Sequence, residues 1–205
     1  MTWAPRNEPR ATSRPPLGHF ETDIATAEQV IGDALGVRAG EQILVNGASG
    51  VTGRLLVALA ALRGAQVIAT AGPASRQRVI KLGARHVIDY HDQQWPAEVR
   101  AITGGRGAAA AANAAPGAAA AAMWAVADGG RLATITSDPP AGQRGITVSS
   151  IYVRPDGAQL RRLAKRFGDG QLEIPVAASY HLADAGEALG QVTGGHAAGA
   201  VVLVR

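Results

Sequence analysis

The 205-residue sequence contains no cysteine. That absence excludes disulfides, thiolate zinc sites, iron–sulfur clusters and a cysteine nucleophile. Aromatic residues make up only 4% of the chain, too few for the stacking platforms that bind single-stranded nucleic acid. The excess of positive charge is small, at +4, and it is not gathered into one basic patch. We therefore expect no nucleic-acid partner.

Long apolar runs are also missing. No stretch reaches the length of a membrane span, and the arginine-containing start lacks the apolar core of a secretory signal. The sequence therefore predicts a cytoplasmic protein with no membrane partner. Hydrophobic residues account for 47% of the chain and charged residues for 18%, which is typical of a globular fold.

Short apolar strands alternate with helices along most of the chain. Strands separated by helices at this spacing indicate an α/β fold of parallel βαβ units with right-handed crossovers. The predicted strands are 42–46, 65–71, 86–90, 108–115, 131–137, 146–153 and 200–204. The predicted helices begin with one that starts near residue 22 and continue with 51–63, 74–82, 96–103, 117–128, 156–167 and 183–192.

An alanine run at 108–122 interrupts this pattern, because alanine favours helices. Pro116 and Gly117 divide the run, so we predict a strand before them and a helix after them.

A glycine-rich turn joins the first predicted strand to the helix after it, in the segment ILVNGASGVTGRLLVALAA. Gly47 permits a tight turn, Gly50 lets the backbone approach a pyrophosphate, and Gly53 lets the helix pack against the strand. A helix N-terminus at this position attracts anions. The turn therefore predicts a dinucleotide site; the alternative is an ordinary tight turn between a strand and a helix.

Three further residues of this turn are candidate cofactor-binding groups. The backbone N–H of Val51 belongs to the helix N-terminus, and Ser49 and Thr52 can add hydroxyl donors.

The end of the second strand bears on the choice between NADH and NADPH. An acidic residue there would bind the ribose 2′-hydroxyl of NADH, but the segment TAGPASRQR has no carboxylate. Ser75, Arg76 and Arg78 can bind a 2′-phosphate instead, through charge-assisted hydrogen bonds. We therefore favour NADPH; the alternative is that both arginines are simply solvated helix residues.

Several longer stretches carry a family resemblance, and in chain order they are GVRAGEQILVNGASGVTG, GAQVIATAG, KLGARHVIDY, TGGRG, ADGGRLATI, VRPDGAQLRRLAKRFGDGQLEIPV and SYHLADAGEALGQVTGGHAAGAVVLV. They resemble the medium-chain dehydrogenase/reductase superfamily, in its zinc-free quinone oxidoreductase (zeta-crystallin-like) branch. The resemblance implies a Rossmann-type doubly wound parallel sheet of six strands. It also implies NADPH as hydride donor to a quinone or an α,β-unsaturated carbonyl, and no metal.

The resemblance also assigns cofactor contacts by position. Ser75 or Arg76 would bind the 2′-phosphate, and Tyr90 would flank it; the alternative for Tyr90 is an ordinary tyrosine at a strand end. The positions that would border the ribose and nicotinamide, mainly through backbone groups, are Ala115, Gly117 and Ile135.

The resemblance further implies a domain organisation. It gives a Rossmann domain at 23–170 and a C-terminal extension at 171–205, the remnant of the catalytic domain's tail. Before them, the proline-rich start predicts a flexible arm at 1–22, with a leftover linker as the alternative. The GroES-like domain of the family has no counterpart in this sequence. Other departures are Asn113 in place of an aspartate and Pro116 in place of a glycine.

Candidate proton donors are few. Tyr152 is the one that the resemblance places on the substrate side, although a core or interface tyrosine is the alternative. Tyr180, His181 and His196 are the others. A homodimer through the edge strand 146–153 is expected by the same resemblance.

Three hypotheses therefore stay open. The first is an NADPH-dependent reductase of a quinone or enone. The second is a cofactor-binding pseudoenzyme, or a binding module that depends on a partner. The third is a recruited Rossmann fold that performs non-redox chemistry, such as a cyclisation or isomerisation.

Overall fold

A computed structural model describes residues 20–173, 175–194 and 199–205. The helices are α1 Phe20–Glu28, α2 Val51–Leu62, α3 Arg76–Lys81, α4 Trp95–Ile102, α5 Ala119–Trp124, α6 Gly157–Gly168 and α7 Ala185–Thr193. The strands are β1 Gln42–Asn46, β2 Gln66–Thr70, β3 Ala84–Ile88, β4 Ala108–Asn113, β5 Val126–Thr134, β6 Thr147–Ser150, β7 Val176–His181 and β8 Ala200–Val204.

Six strands form one parallel sheet in the order β3-β2-β1-β4-β5-β6. The strand order reverses between β1 and β4, where Ile43 is in register with Ala110 and Asn46 with Asn113. This order is that of a doubly wound dinucleotide-binding sheet, so the predicted α/β Rossmann-type fold is confirmed.

The core lies in two layers, one on each face of the sheet. Because successive side chains of a strand point to opposite faces, Ile43 and Val45 pack in one layer and Leu44 packs in the other. The first layer contains buried residues of α1, α2, α3 and α6, and the second contains buried residues of α4 and α5. Both faces are therefore covered, as a parallel sheet requires.

The first helix differs from a regular α-helix in its second half, where a π-helical segment covers Gln29–Ala34. The buried Gln29 side chain donates to the Arg154 carbonyl at 2.8 Å and to Gln159 Oε1 at 3.1 Å. The helix begins at Phe20, before the predicted domain boundary at residue 23. Residues 1–19 of the predicted arm lie outside the described residues.

Several predicted elements have other bounds in the structure. The predicted strand 131–137 corresponds to β5 at Val126–Thr134, and the predicted edge strand 146–153 is shorter, with β6 at Thr147–Ser150. β3 covers 84–88 rather than 86–90, because the Asp89 side chain turns the chain by accepting the His91 N–H at 3.1 Å. The predicted helix 117–128 was too long, since α5 ends at Trp124 and Val126 already pairs with Ala108.

The last two strands, β7 and β8, form a separate two-stranded parallel sheet. Their register pairs Val176 with Ala200 and His181 with Val204, and α7 connects them. Gly199 precedes β8, and a Cβ on it would lie 2.2 Å from the Pro175 carbonyl oxygen. Across the described ranges, no helix combines the length and apolar character needed to cross a membrane.

Candidate functional site

The carboxyl ends of β1 and β4 form the crevice that this sheet order creates. In open α/β sheets, ligands bind outside the carboxyl ends of the strands, at the point where the strand order reverses. In this sheet that point is bordered by the turn after β1 and by the segment that follows Asn113.

The glycine turn after β1 is held in a conformation that only small residues allow. Gly47 has φ +84°, and a Cβ on it would lie 2.9 Å from the Ala114 carbonyl carbon. A Cβ on Gly53 would lie 2.1 Å from the Gly47 oxygen, so α2 packs directly on the turn. Gly50 differs: its φ is −73°, and its nearest neighbour would lie 3.8 Å from a Cβ. The space beside Gly50 is therefore open to a ligand.

The start of α2 supplies the groups that an anion binds. The helix begins after Gly50, and no side chain from the described ranges caps that end. Its first residues, Val51 and Thr52, therefore direct N–H groups and the positive end of the helix dipole outward. The Thr52 hydroxyl, predicted to donate to the cofactor, instead donates to Asp23 Oδ1 at 2.5 Å. Ser49 is half-buried within the turn. The N–H groups at this helix N-terminus fit a bound pyrophosphate.

A buried polar network crosses the crevice floor. Thr70 at the end of β2 donates its hydroxyl to Asn46 Oδ1 at 2.6 Å, and Asn46 Nδ2 donates to Asn113 Oδ1 at 2.8 Å. The Gly47 N–H donates to Thr70 Oγ1 at 3.0 Å, which attaches the glycine turn to the same network. Three adjacent strand ends are thus joined by side chains.

The network continues from Asn113 to the end of β5. Asn113 Nδ2 contacts Thr134 Oγ1 and Thr136 Oγ1, each at 3.1 Å. Asp138 accepts from both of these threonine hydroxyls and from the Gly117 N–H. The hydrogen bond from Thr136 is the main reason that the pKa of Asp138 is lowered.

Sequence reasoning missed this network, although a signal was present. Asn46, Thr70 and Asn113 are polar residues at or near the ends of apolar strands that were predicted to be buried.

The segment after β2 carries the residues predicted to bind a 2′-phosphate. Ser75 is buried at 9% exposure, and its hydroxyl accepts from Arg78 Nη2 at 3.1 Å. Arg76 is exposed and donates from Nη1 to the Val87 carbonyl at 2.5 Å. Burial, and secondarily the positive charge of Arg78, lower the pKa of the buried Arg54 at the start of α2. Positive charge therefore collects between α2 and α3.

Tyr90 lies beside the same segment. Its ring is 48% exposed and stacks on His91, with centroids 4.1 Å apart. A Cβ on Gly72, just after β2, would lie 3.5 Å from Tyr90 Cε1 and 3.4 Å from His91 Cε1. The two rings therefore line the end of β2.

The remaining predicted contacts lie along the strand ends on the far side of the crevice. Ala115 and Ile135 are half-buried, and Gly117 is exposed with φ +73°. Tyr152 is 72% exposed, and its hydroxyl donates to Ser137 Oγ at 3.4 Å.

The other candidate proton donors do not lie at these strand ends. Tyr180 and His181 end β7, in the two-stranded sheet, and His196 lies outside the described residues. Within the ranges that the structure covers, no three His, Asp or Glu side chains come together in a way that could hold a metal ion.

Comparison with known proteins supports the same fold. The family model for zinc-binding dehydrogenase matches residues 82–203. The chain is 40% identical over 89 residues to trans-enoyl reductase ACTTS2 of Alternaria alternata, covering 40% of this chain and 26% of that protein.

Two solved structures extend the comparison. An NAD-dependent alcohol dehydrogenase has a TM-score of 0.79 and 30% identity, and the match covers 90% of this chain and 57% of that one. The mycobacterial protein Rv1454c, complexed with NADPH, has a TM-score of 0.76 and 26% identity, covering 89% of this chain and 62% of that one. This chain therefore spans less than two thirds of each of these proteins.

Proposed function

This chain belongs to the zinc-binding dehydrogenase family, and from that premise we propose that it is an oxidoreductase that binds NADPH and serves hydride transfer to an enone or quinone. The observation that carries the proposal is the glycine turn at the reversal of the strand order. Gly47 and Gly53 are held in contacts that exclude any Cβ without a shift, whereas a Cβ on Gly50 would meet only the Gly47 oxygen, at 3.8 Å. A turn with a purely structural role would not need free space at Gly50, beside a helix N-terminus that no side chain caps.

Zinc does not fit the residues present. The chain has no cysteine, and the described histidine and carboxylate side chains form no group that could hold a metal ion. The proposed hydride transfer therefore depends on the nicotinamide cofactor and on no metal ion.

The choice of NADPH rests on the residues after β2. The segment that starts at Gly72 offers Ser75, Arg76 and Arg78 where a carboxylate would select NADH. One structural relative is described as NAD-dependent and the other is complexed with NADPH, so the relatives do not decide the preference. The charge of this segment supports NADPH, because a phosphate gains from arginine and an adjacent carboxylate would repel it.

The chain's own groups would act mainly by positioning. The N–H groups at the start of α2 bind the pyrophosphate, and the network from Thr70 to Asp138 keeps the strand ends at a fixed separation. Bound NADPH supplies the hydride. The protein holds the hydride donor and the acceptor at the correct distance and orientation, which is the larger part of catalysis in hydride transfer.

Protonation of the reduced substrate needs a hydroxyl at the open edge. We assign this step to Tyr152, whose hydroxyl can transfer its proton to a substrate carbon and regain one from solvent along Ser137 Oγ. Similarity to a trans-enoyl reductase supports an α,β-unsaturated carbonyl over other acceptors.

We further propose a homodimer and a cytoplasmic location. β6 ends the main sheet and pairs only with β5 among the described strands, which leaves one edge for a second copy. The partly exposed segment 151–153, which contains Tyr152, follows that edge strand. A second copy would then cover the side of the crevice where the small-molecule substrate binds.

Calorimetric titration with NADPH and NADH tests the proposal. Gly50→Ala is the informative variant, because its φ and surroundings accept a methyl group while a bound pyrophosphate would collide with it. NADPH affinity should fall at least about tenfold, equivalent to about 1.4 kcal/mol. Gly157→Ala, at the start of α6 with no atom within 4 Å, is the matched control and should change nothing.

The outcomes separate the hypotheses. NADPH binding that is sensitive to Gly50→Ala, with oxidation of NADPH by an enone, supports the reductase. The same binding without turnover of enones or quinones indicates the binding module. No binding of either cofactor contradicts the proposal and directs the search to non-redox ligands.

A further inference from the structure

Two side-chain rings line the end of β2, where the proposed cofactor would place a ribose. Gly72 has no side chain, and the two rings nearest its missing Cβ belong to Tyr90 and His91. They stack at 4.1 Å with an interplanar angle of 29°. The imidazole and the tyrosine ring therefore both lie next to Gly72, at the end of β2.

Asp89 fixes the orientation of His91. Its Oδ1 lies 2.6 Å from His91 Nδ1 and also accepts the His91 backbone N–H at 3.1 Å. These hydrogen bonds lower the pKa of Asp89, so the carboxylate stays charged. With Nδ1 held by a carboxylate, Nε2 is the ring nitrogen left to face a ligand, and it donates to that ligand when the ring is protonated.

The charges around this imidazole are mixed. Asp89 and Asp92 belong to its own loop, whereas Arg76 and Arg78 belong to α3, which packs on β3. Asp89 is paired with His91, and Asp92 Oδ1 accepts the Gln94 N–H at 2.8 Å. The two arginines and a protonated imidazole together suit a doubly charged phosphate.

We infer that His91 is a specificity-determining residue that binds the 2′-phosphate of NADPH, together with Arg76, beside Gly72. The inference rests on the proposed function for the cofactor class. It adds a residue that sequence reasoning did not select, and it makes the preference for the 2′-phosphate depend on pH.

The test separates phosphate recognition from adenosine stacking. Adenosine 2′,5′-bisphosphate is compared with adenosine 5′-monophosphate, and NADPH with NADH, by calorimetric titration at about pH 6.5 and about pH 8.5, because an imidazole carries more charge at the lower pH. The full chain is used throughout.

His91→Asn should weaken binding of the two 2′-phosphorylated ligands about tenfold at the lower pH, as expected for loss of one charge-assisted hydrogen bond. The loss should shrink at the higher pH. Binding of adenosine 5′-monophosphate and NADH should stay within about twofold. His91→Arg should restore tight binding of the phosphorylated ligands and remove the pH dependence.

Arg106→Gln is the matched control for loss of a positive charge. Arg106 is exposed in the turn before β4, at the amino edge of the sheet, and this variant should bind all four ligands like the unmodified chain. Thermal melting checks that each variant folds.

Three results would overturn the inference. Equal weakening for all four ligands would show that His91 contributes only stacking, and unchanged binding would show that it contributes nothing. Failure of the unmodified chain to bind any of the four would overturn both the inference and the proposed function. Binding of the bisphosphate that depends on His91, without hydride transfer, would support the inference while contradicting the proposed reaction.

Discussion

Asn46 donates its side-chain N–H to Asn113 Oδ1 at 2.8 Å, directly across the line where the strand order reverses. Both side chains are almost fully buried, at 2% and 1% exposure. Because each half of the sheet contributes one partner, this hydrogen bond joins the two βαβ halves at the floor of the candidate site. A buried amide without a partner costs more than the bond itself contributes, so the pair is sensitive to loss of either member.

Asn113→Ala should lower the free energy of unfolding by about 1–3 kcal/mol, since it leaves Asn46 Nδ2 without its acceptor. Urea unfolding measures this change. The double variant with Asn46→Ala should cost less than the sum of the two single variants. Strict additivity in that cycle would show that the two side chains are not coupled.

Gly53→Ala should destabilise the fold by at least about 1–3 kcal/mol, because its methyl group would lie 2.1 Å from the Gly47 oxygen and α2 must shift to admit it. Gly186→Ala, in α7 with no atom within 4 Å, is the control and should be neutral or stabilising. Equal melting temperatures for the two variants would contradict the close approach of α2 to the turn.

Acid should weaken the fold partly through Asp138. Its pKa is lowered in the folded chain, mainly by the Thr136 hydroxyl, so it contributes stability above its unfolded pKa and loses that contribution as the pH falls. The difference in unfolding free energy between the unmodified chain and Asp138→Asn should therefore shrink from about pH 5 to about pH 2. Asp184→Asn, remote from the network, is the control. A constant difference across that range would contradict the assignment.

The proposed dimer predicts sensitivity of the β6 edge to charge. Thr147→Lys with Ser149→Lys should convert a dimer into a monomer in light scattering, because lysine on an edge strand opposes pairing with another strand. Thr193→Lys, at an exposed position of α7, introduces a lysine outside β6 and is the control. A monomeric unmodified chain would contradict this assembly outright.

Tyr152→Phe separates proton delivery from cofactor binding. Turnover of an enone should fall about a hundredfold, in line with removal of one general acid. The dissociation constant for NADPH should stay within about twofold, since the hydroxyl contacts Ser137 and not the glycine turn. Unchanged turnover would assign the proton to solvent.

Much of the fold could be predicted because its signals are local. β1 and β8 begin and end where their apolar runs predicted, and the split of the alanine run at Pro116 gave β4 and α5 in the correct order. Glycine spacing likewise placed the turn at 47–53 on the correct strand end.

The rest depends on contacts between distant segments. The π-helical turn at Gln29–Ala34 holds Gln29 on Arg154, 125 residues later, and no local pattern encodes that. The network from Thr70 to Asp138 likewise needs the register of four strands before its members can meet. The role proposed for His91 is similar, because it depends on the approach of this ring to Gly72, a residue of another strand end.

The central strand β4 carries five alanines before Asn113, and four of them are fully buried. A methyl group is the smallest side chain that still packs, so replacement by glycine leaves a void while any larger residue overfills the layers. Variation along this strand is therefore restricted in both directions by volume alone. In a related chain with valine or isoleucine at these positions, the two helical layers must lie farther from the sheet. The distance between the two layers therefore depends on the size of the side chains in the central strand.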